Sequence, residues 1–190
     1  MPPKNKFSKE EIIEAAFEIA CEDGFTGITA RSVAAKLKSS VAPIYVNFTT
    51  IDDLVRAVVA RVFAITGELL AEQTGTSHFE KIGRASLEVA RRYPVLYREL
   101  VLTPNPYLPD YEAVQQGMIE ALANDERMSG LDLEERKRLF FKMQVFQTGL
   151  TALIANGHYP SWLSQEQAEE LLLEVGNDLL TIERQKRKES

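Results

Sequence analysis

TGITARSVAAKLKSSVAPIYVNF, residues 26–48, is the stretch from which the rest of the chain is read. It contains no Asp or Glu, although the whole chain carries a formal net charge of −6. Thr29 stands where a helix N-cap is needed, with a hydroxyl able to accept an N–H of the first turn. Val33, Ala34 and Leu37 follow at helical spacing and share one face. Lys38-Ser39 breaks that run. Ser40 is expected to cap the next one, and Pro43 falls in its first turn, where a missing N–H costs nothing. Ile44 and Phe48 are four apart and point the same way, into a core, while Tyr45 and Asn47 point elsewhere. Two short helices joined by a tight turn, with an acid-free surface, read as a helix-turn-helix that docks on double-stranded DNA.

Upstream, Ser8 and Glu11 have capping-box spacing, so a helix is predicted from Lys9, with Lys4 and Lys6 in a basic arm before it. Ile12, Ile13, Ala16, Phe17, Ile19 and Ala20 form its apolar side. Gly24 suits a left-handed C-terminal cap, with Phe25 folding back on the core. Downstream, Thr49 or Thr50 caps a fourth helix that carries Asp52 and Asp53 in its first turn and runs to about Gln73. Further helices are predicted over roughly 79–93, 94–102, 111–124 and 133–156. The last opens at a capping box of Ser164 and Gln167 and reaches about Arg184, leaving a charged, frayed tail. No segment reads as a strand, and no internal repeat appears. The expected architecture is all-α with about nine helices: a three-helix domain over 1–50, then a larger helical domain over 51–190.

A chain of 190 residues suits one or two small domains, and 45% apolar with 26% charged residues is ordinary for a soluble globular protein. Cys21 is the only cysteine, which excludes an intrachain disulfide or a cysteine metal cluster and fits a reducing, cytoplasmic setting. No apolar run approaches the ~18 residues of a membrane span, and the opening residues lack a signal-peptide core, so no membrane association is expected. The charge divides unevenly: residues 1–50 hold six basic and six acidic residues, and all the excess acid lies beyond them. One face can therefore bind phosphates while the remainder stays acidic. HExxH, GxSxG, CxxC and phosphate-loop patterns are missing, and His78 and His158 are isolated. No catalytic residue, metal site or cofactor is expected, and the chain is not read as an enzyme. Cys21 is read as a small packing residue rather than a redox sensor.

IIEAAFEIACEDGF (12–25), the Thr29-x-Arg31 start of the second helix and the IYVNF ending (44–48) of the third occur in fixed order and spacing. Together they resemble the DNA-binding domain of the TetR family of bacterial transcriptional regulators. The resemblance implies that helix three and the start of helix two contact DNA. Thr29 brings a hydroxyl and backbone N–H groups to a helix start, a natural phosphate site. Arg31 can reach a phosphate or a guanine edge. Ser40, Val41, Ala42 and Pro43 form the turn that enters the major groove, flanked by the hydroxyl of Tyr45 and the amide of Asn47. Lys38 adds a positive charge near DNA, and Lys6 completes the candidate set.

Two departures from the family pattern matter. Lys38-Ser39 stands where Gly-Val is usual, so either Lys38 takes a strained turn conformation or the turn differs. Ile51 stands where a lysine is common, which removes an expected phosphate contact. Val41, Ala42 and Pro43 cannot hydrogen-bond base edges, but they can pack on thymine methyl groups. The half-site is therefore expected to hold thymines opposite them, with Arg31 reading a nearby guanine.

The resemblance further implies a homodimer through the last two helices and a small-molecule effector held among helices four to eight. Helix eight carries Leu139, Phe140, Met143, Val145, Phe146, Leu150, Leu153 and Ile154, more apolar surface than a simple surface helix needs. The candidate effector-lining residues are Phe63, Tyr97, Tyr107, Tyr111, Met118, Phe140, Met143 and Gln147. This aromatic- and methionine-rich set suits a bulky, largely apolar molecule, although the same residues would also serve a core. An effector that displaces the fourth helix would respace the two recognition helices and release a palindromic operator, which is the behaviour of a repressor. Two other readings fit the sequence: a DNA-binding protein without an effector, and a helical protein-interaction module with a vestigial helix-turn-helix.

Overall fold

The computed structural model describes residues 7–74, 77–108 and 111–189, and no strand occurs among them. Helix α1 (Lys9–Asp23) starts at a complete capping box, with Ser8 Oγ accepting the Glu11 N–H and Glu11 Oε2 accepting the Ser8 N–H. Helix α2 (Ala30–Lys36) starts at Thr29, and α3 spans Ala42–Asn47. Helix α4 (Ile51–Glu72) opens at a reciprocal pair, Thr50 Oγ1 with the Asp53 N–H and Asp53 Oδ2 with the Thr50 N–H. Then come α5 (His78–Arg92), α6 (Pro94–Tyr97), α7 (Tyr111–Ala121), α8 (Leu133–Ala155) and α9 (Gln165–Glu189). The nine helices counted among the described residues match the expected all-α class. No helix among them is long and apolar enough to cross a membrane.

Some local expectations change. Gly24 has φ +75° and ψ −178°, an extended conformation that essentially only glycine adopts, rather than the left-handed helical cap. Ser40 does not cap α3. The chain is already helical at Val41 (φ −72°, ψ −14°), and its side chain offers no cap hydrogen bond; Pro43 supplies the preset φ of the first turn instead. Helix α6 passes directly into a wider π turn over Arg98–Leu102. Helix α7 ends earlier than expected and tightens into a 3-10 turn at Leu122–Asn124. Helix α9 continues past Arg184 to Glu189, because its last turns are tied down. Glu183 pairs with Lys142 of α8, and the Arg184 guanidinium donates to the Arg127 carbonyl.

The chain forms two compact units, one of residues 1–67 with 93–108 and the other of 68–92 with 109–190. This grouping reflects packing, and a functional division at residue 50 is a separate matter. In the first unit α1 packs on α2 and α6. Ile12, Ala16 and Ala20 of α1, Val33 of α2, and Ile44 of α3 are all fully shielded from solvent. Tyr93 meets the Phe17 ring edge-on at 5.5 Å. Glu99, on the π turn, accepts the Phe25 N–H at 2.7 Å, and a Cβ on Gly24 would lie 2.2 Å from its carboxylate.

In the second unit α5, α8 and α9 pack on one another. Leu87, Met143, Leu150 and Leu172 form one core cluster, and Leu122, Met128, Leu131, Leu139 and Leu180 form another. Helices α5 and α9 approach closely at two glycines. A Cβ on Gly83 would meet Leu172 at 2.8 Å, and one on Gly176 would meet Phe79 at 2.9 Å. Beside this crossing, Arg84 and Arg91 of α5 both reach Glu169 of α9 at 3.2 Å. The charged tail of α9 has its own anchor: hydrogen bonding from Lys142, outweighing burial, holds the Glu183 carboxyl below its ordinary range.

Candidate nucleic-acid interface

The turn between α2 and α3 is closed by backbone hydrogen bonds. The Lys38 N–H donates to the Ala35 carbonyl at 3.0 Å and the Ser39 N–H to the Ala34 carbonyl at 2.9 Å. This is a Schellman closure, whose reversing residue is usually glycine. Here that residue is Lys38, at φ 49°, so the first of the two alternatives for this position holds. The conformation turns the chain from α2 into α3 and leaves the lysine exposed.

Helix α3 is six residues long and strongly two-sided. Ile44 is fully buried and Phe48 nearly so, while Tyr45 is 53% exposed and Val46 66% exposed. Val41 and Ala42 are exposed as well, and Pro43 is half-buried. Val46 was not anticipated as a surface residue of the site. Its signal lies in the helical period: it stands about 200° around the axis from Ile44. Asn47 is half-buried and its amide donates one N–H to the Pro43 carbonyl at 2.8 Å, back onto the helix.

Thr29 is exposed, yet its hydroxyl accepts the Ser32 N–H and bonds Ser32 Oγ, both at 3.0 Å. Ser32 Oγ in turn donates to the Gly27 carbonyl at 2.7 Å. The Thr29–Ser32 cap thus occupies most of the hydrogen-bonding capacity expected to face a phosphate. Ser40 is exposed. Lys6 lies outside the described residues.

The basic side chains divide into two sets. Lys36 pairs with Glu18 of α1 at 2.7 Å, and that hydrogen bond raises its pKa. Lys9 sits 5.2 Å above the Phe48 ring. These two hold the helices together. Arg31 and Lys38 are exposed, and neither forms an ion pair among the described residues. Ile51 is half-buried at the start of α4. Next to it, Asp52 accepts the Tyr107 hydroxyl at 3.1 Å, and Arg56 lies over the Tyr107 ring.

The candidate effector residues fall into both units. In the first, Tyr97 is buried, Phe63 is 45% exposed and Tyr107 is held by Asp52. In the second, Met143 belongs to the Leu87 cluster, Phe140 packs on the Leu139 cluster, Met118 is 40% exposed and Gln147 is half-buried. The Tyr111 side chain lies outside the described residues. An open depression of about 580 Å³ in the second unit is lined by Asp125, Met128, Arg136 and their neighbours, and none of the candidates borders it.

Of the apolar residues expected to pair two copies, Leu139, Met143 and Leu150 turn inward as core, while Val145 and Leu153 face out. Phe141, unforeseen in this role, is 63% exposed. Phe141, Val145, Gly149 and Leu153 are each four apart and all exposed.

No family model matches the chain, and no curated protein matches its sequence. Solved structures match its fold. SCO7222, a TetR from Streptomyces coelicolor, aligns with a TM-score of 0.66 at 17% identity, over 93% of this chain and 97% of that one. A TetR-like transcriptional regulator from Rhodococcus sp. RHA1 aligns at 0.65 and 19% identity, over 88% and 92%. The fatty acid degradation regulator FadR from Bacillus halodurans aligns at 0.59 and 15% identity, over 93% and 97%. The chain therefore has the all-α fold of TetR-type transcriptional regulators.

Proposed function

We propose that this protein is a DNA-binding transcriptional regulator. It works as a homodimer in the cytoplasm, as a repressor that a small, largely apolar effector releases from a palindromic operator. The observation that carries the reading is the α2–α3 surface. It is free of acids, it presents Arg31 and Lys38 without ion pairs among the described residues, and it turns Val41, Ala42, Tyr45 and Val46 outward. Cations free to meet phosphates, beside a helix whose outer side is available to a groove, are what sequence-specific duplex binding requires. Homodimerisation is supported by the outward stripe of α8, since an aligned row of exposed Phe, Val and Leu is poorly suited to water. The effector is supported by the fold shared with regulators, one of them named for fatty acid degradation.

Selection from random duplex DNA with the purified protein tests the reading. The expected product is an inverted repeat whose half-site centres lie a helical turn, about 10 base pairs, or a multiple of it apart. Its affinity should fall steeply with salt. Recovery of no preferred duplex at any salt concentration overturns DNA recognition. Compounds that raise the melting temperature should also release the duplex. If every stabilising compound leaves the duplex bound, the protein binds DNA without an effector.

A further inference from the structure

The outer side of α3 makes a finer statement about what the DNA surface reads, and this inference rests on the DNA-binding reading above. At about 100° per residue, Val41, Tyr45, Ala42 and Val46 follow one another around one exposed arc, with Ala42 and Val46 on the side away from the buried Ile44. No charged side chain stands on that arc. One N–H of the Asn47 amide, the natural partner of an adenine edge, donates to the Pro43 carbonyl at 2.8 Å, and the residue is half-buried. What the exposed arc offers a groove is therefore the methyl groups of Val41, Ala42 and Val46, with the Tyr45 hydroxyl as a polar tip. Flanking Arg31 and Lys38, in an acid-free stretch, suit this surface to a polyanion.

Each base edge in the major groove presents hydrogen-bonding atoms, and thymine adds an apolar group, the C5-methyl. A methyl-lined helix gains by packing on that group. Opposite a purine edge it strips water from N7 and from the exocyclic group and returns no hydrogen bond. We infer that this protein reads the 5-methyl groups of pyrimidines, with Val46, the most exposed of the large apolar side chains of α3, as the principal reader. Discrimination then follows the methyl group rather than the base. Thymine is preferred over uracil at the same position, and 5-methylcytosine over cytosine.

The test uses the full-length protein and a duplex recovered by selection. Thymines in one half-site are replaced one at a time by uracil, which removes a single methyl group and leaves every hydrogen-bonding atom in place. At one or more positions the affinity should fall roughly fourfold, the equivalent of one buried CH2. At the same position a C·G pair should bind more tightly when its cytosine carries a 5-methyl group. In Val46→Ala the uracil penalty at the Val46-contacted position should disappear, while the variant keeps the wild-type melting temperature because Val46 touches solvent. Uracil tolerated everywhere, or a selected half-site without thymine, overturns the methyl reading and leaves DNA recognition standing. A uracil penalty that persists unchanged in Val46→Ala overturns the assignment to Val46. Recovery of no duplex overturns both readings together.

Discussion

Lys38 shows two demands meeting on one residue. It closes α2 with a backbone conformation, φ 49°, that a side chain opposes by about 1 kcal/mol or more. It also keeps an unpaired ammonium beside the proposed DNA surface. Lys38→Gly should therefore stabilise the protein by up to about 1 kcal/mol in denaturant melts. The same variant should bind DNA more weakly, with a salt slope reduced by about one. A purely architectural lysine would move only the melt. That the turn sits here was legible from Lys38-Ser39-Ser40 alone, because turn chemistry is local. Which polar groups are occupied at home was not legible. The Thr29 hydroxyl goes to Ser32 and the Asn47 amide to Pro43, and both choices depend on rotamers that composition does not encode. Burial, then the nearby Glu22, Glu18 and Glu14, push the Cys21 thiol up to about 11, so it stays protonated at neutral pH.

At the scale of elements, the end of α1 depends on a residue far along the chain. The Glu99 carboxylate accepts the Phe25 N–H, and Gly24 has no Cβ to obstruct it. Glu99→Ala should cost about 1–3 kcal/mol of stability by leaving that N–H without its acceptor, and Glu99→Gln should cost less because its amide oxygen can still accept. Gly24→Ala should be at least as harmful as Glu99→Ala, since it adds backbone strain to a collision with the carboxylate. Urea titrations of the three variants give the ranking. Helix starts were legible because caps are written within four residues: Ser8 with Glu11, Thr50 with Asp53, Ser164 with Gln167. The Glu99–Phe25 bond joins residues 74 apart, and no periodicity announces it. The π turn that carries Glu99 was equally silent, since RELVL reads as ordinary helix.

For the whole molecule, the proposed function requires two copies, and the α8 stripe is where we propose that a second packs. Phe141→Asp should convert a dimer to a monomer in sedimentation experiments. It should also weaken operator binding sharply, because the two half-sites would no longer be held by one particle. The unfolding of the monomer should change by no more than about 0.5 kcal/mol, as for an ordinary surface substitution. Helix α8 hid this face in the sequence because it is apolar on several sides. Only packing separates Leu139, Met143 and Leu150, which fill the core, from Phe141, Val145 and Leu153, which do not. The Glu99–Phe25 bond has a consequence at this scale too. An amide whose nitrogen is held 2.7 Å from a carboxylate oxygen carries a proton that resonates far downfield and exchanges slowly with solvent. The Phe25 signal in a nitrogen–proton correlation spectrum is therefore a built-in gauge, needing no attached probe, of whether residues 93–108 stay seated on α1. It can be followed in the free protein, on the operator, and as a candidate compound is titrated in.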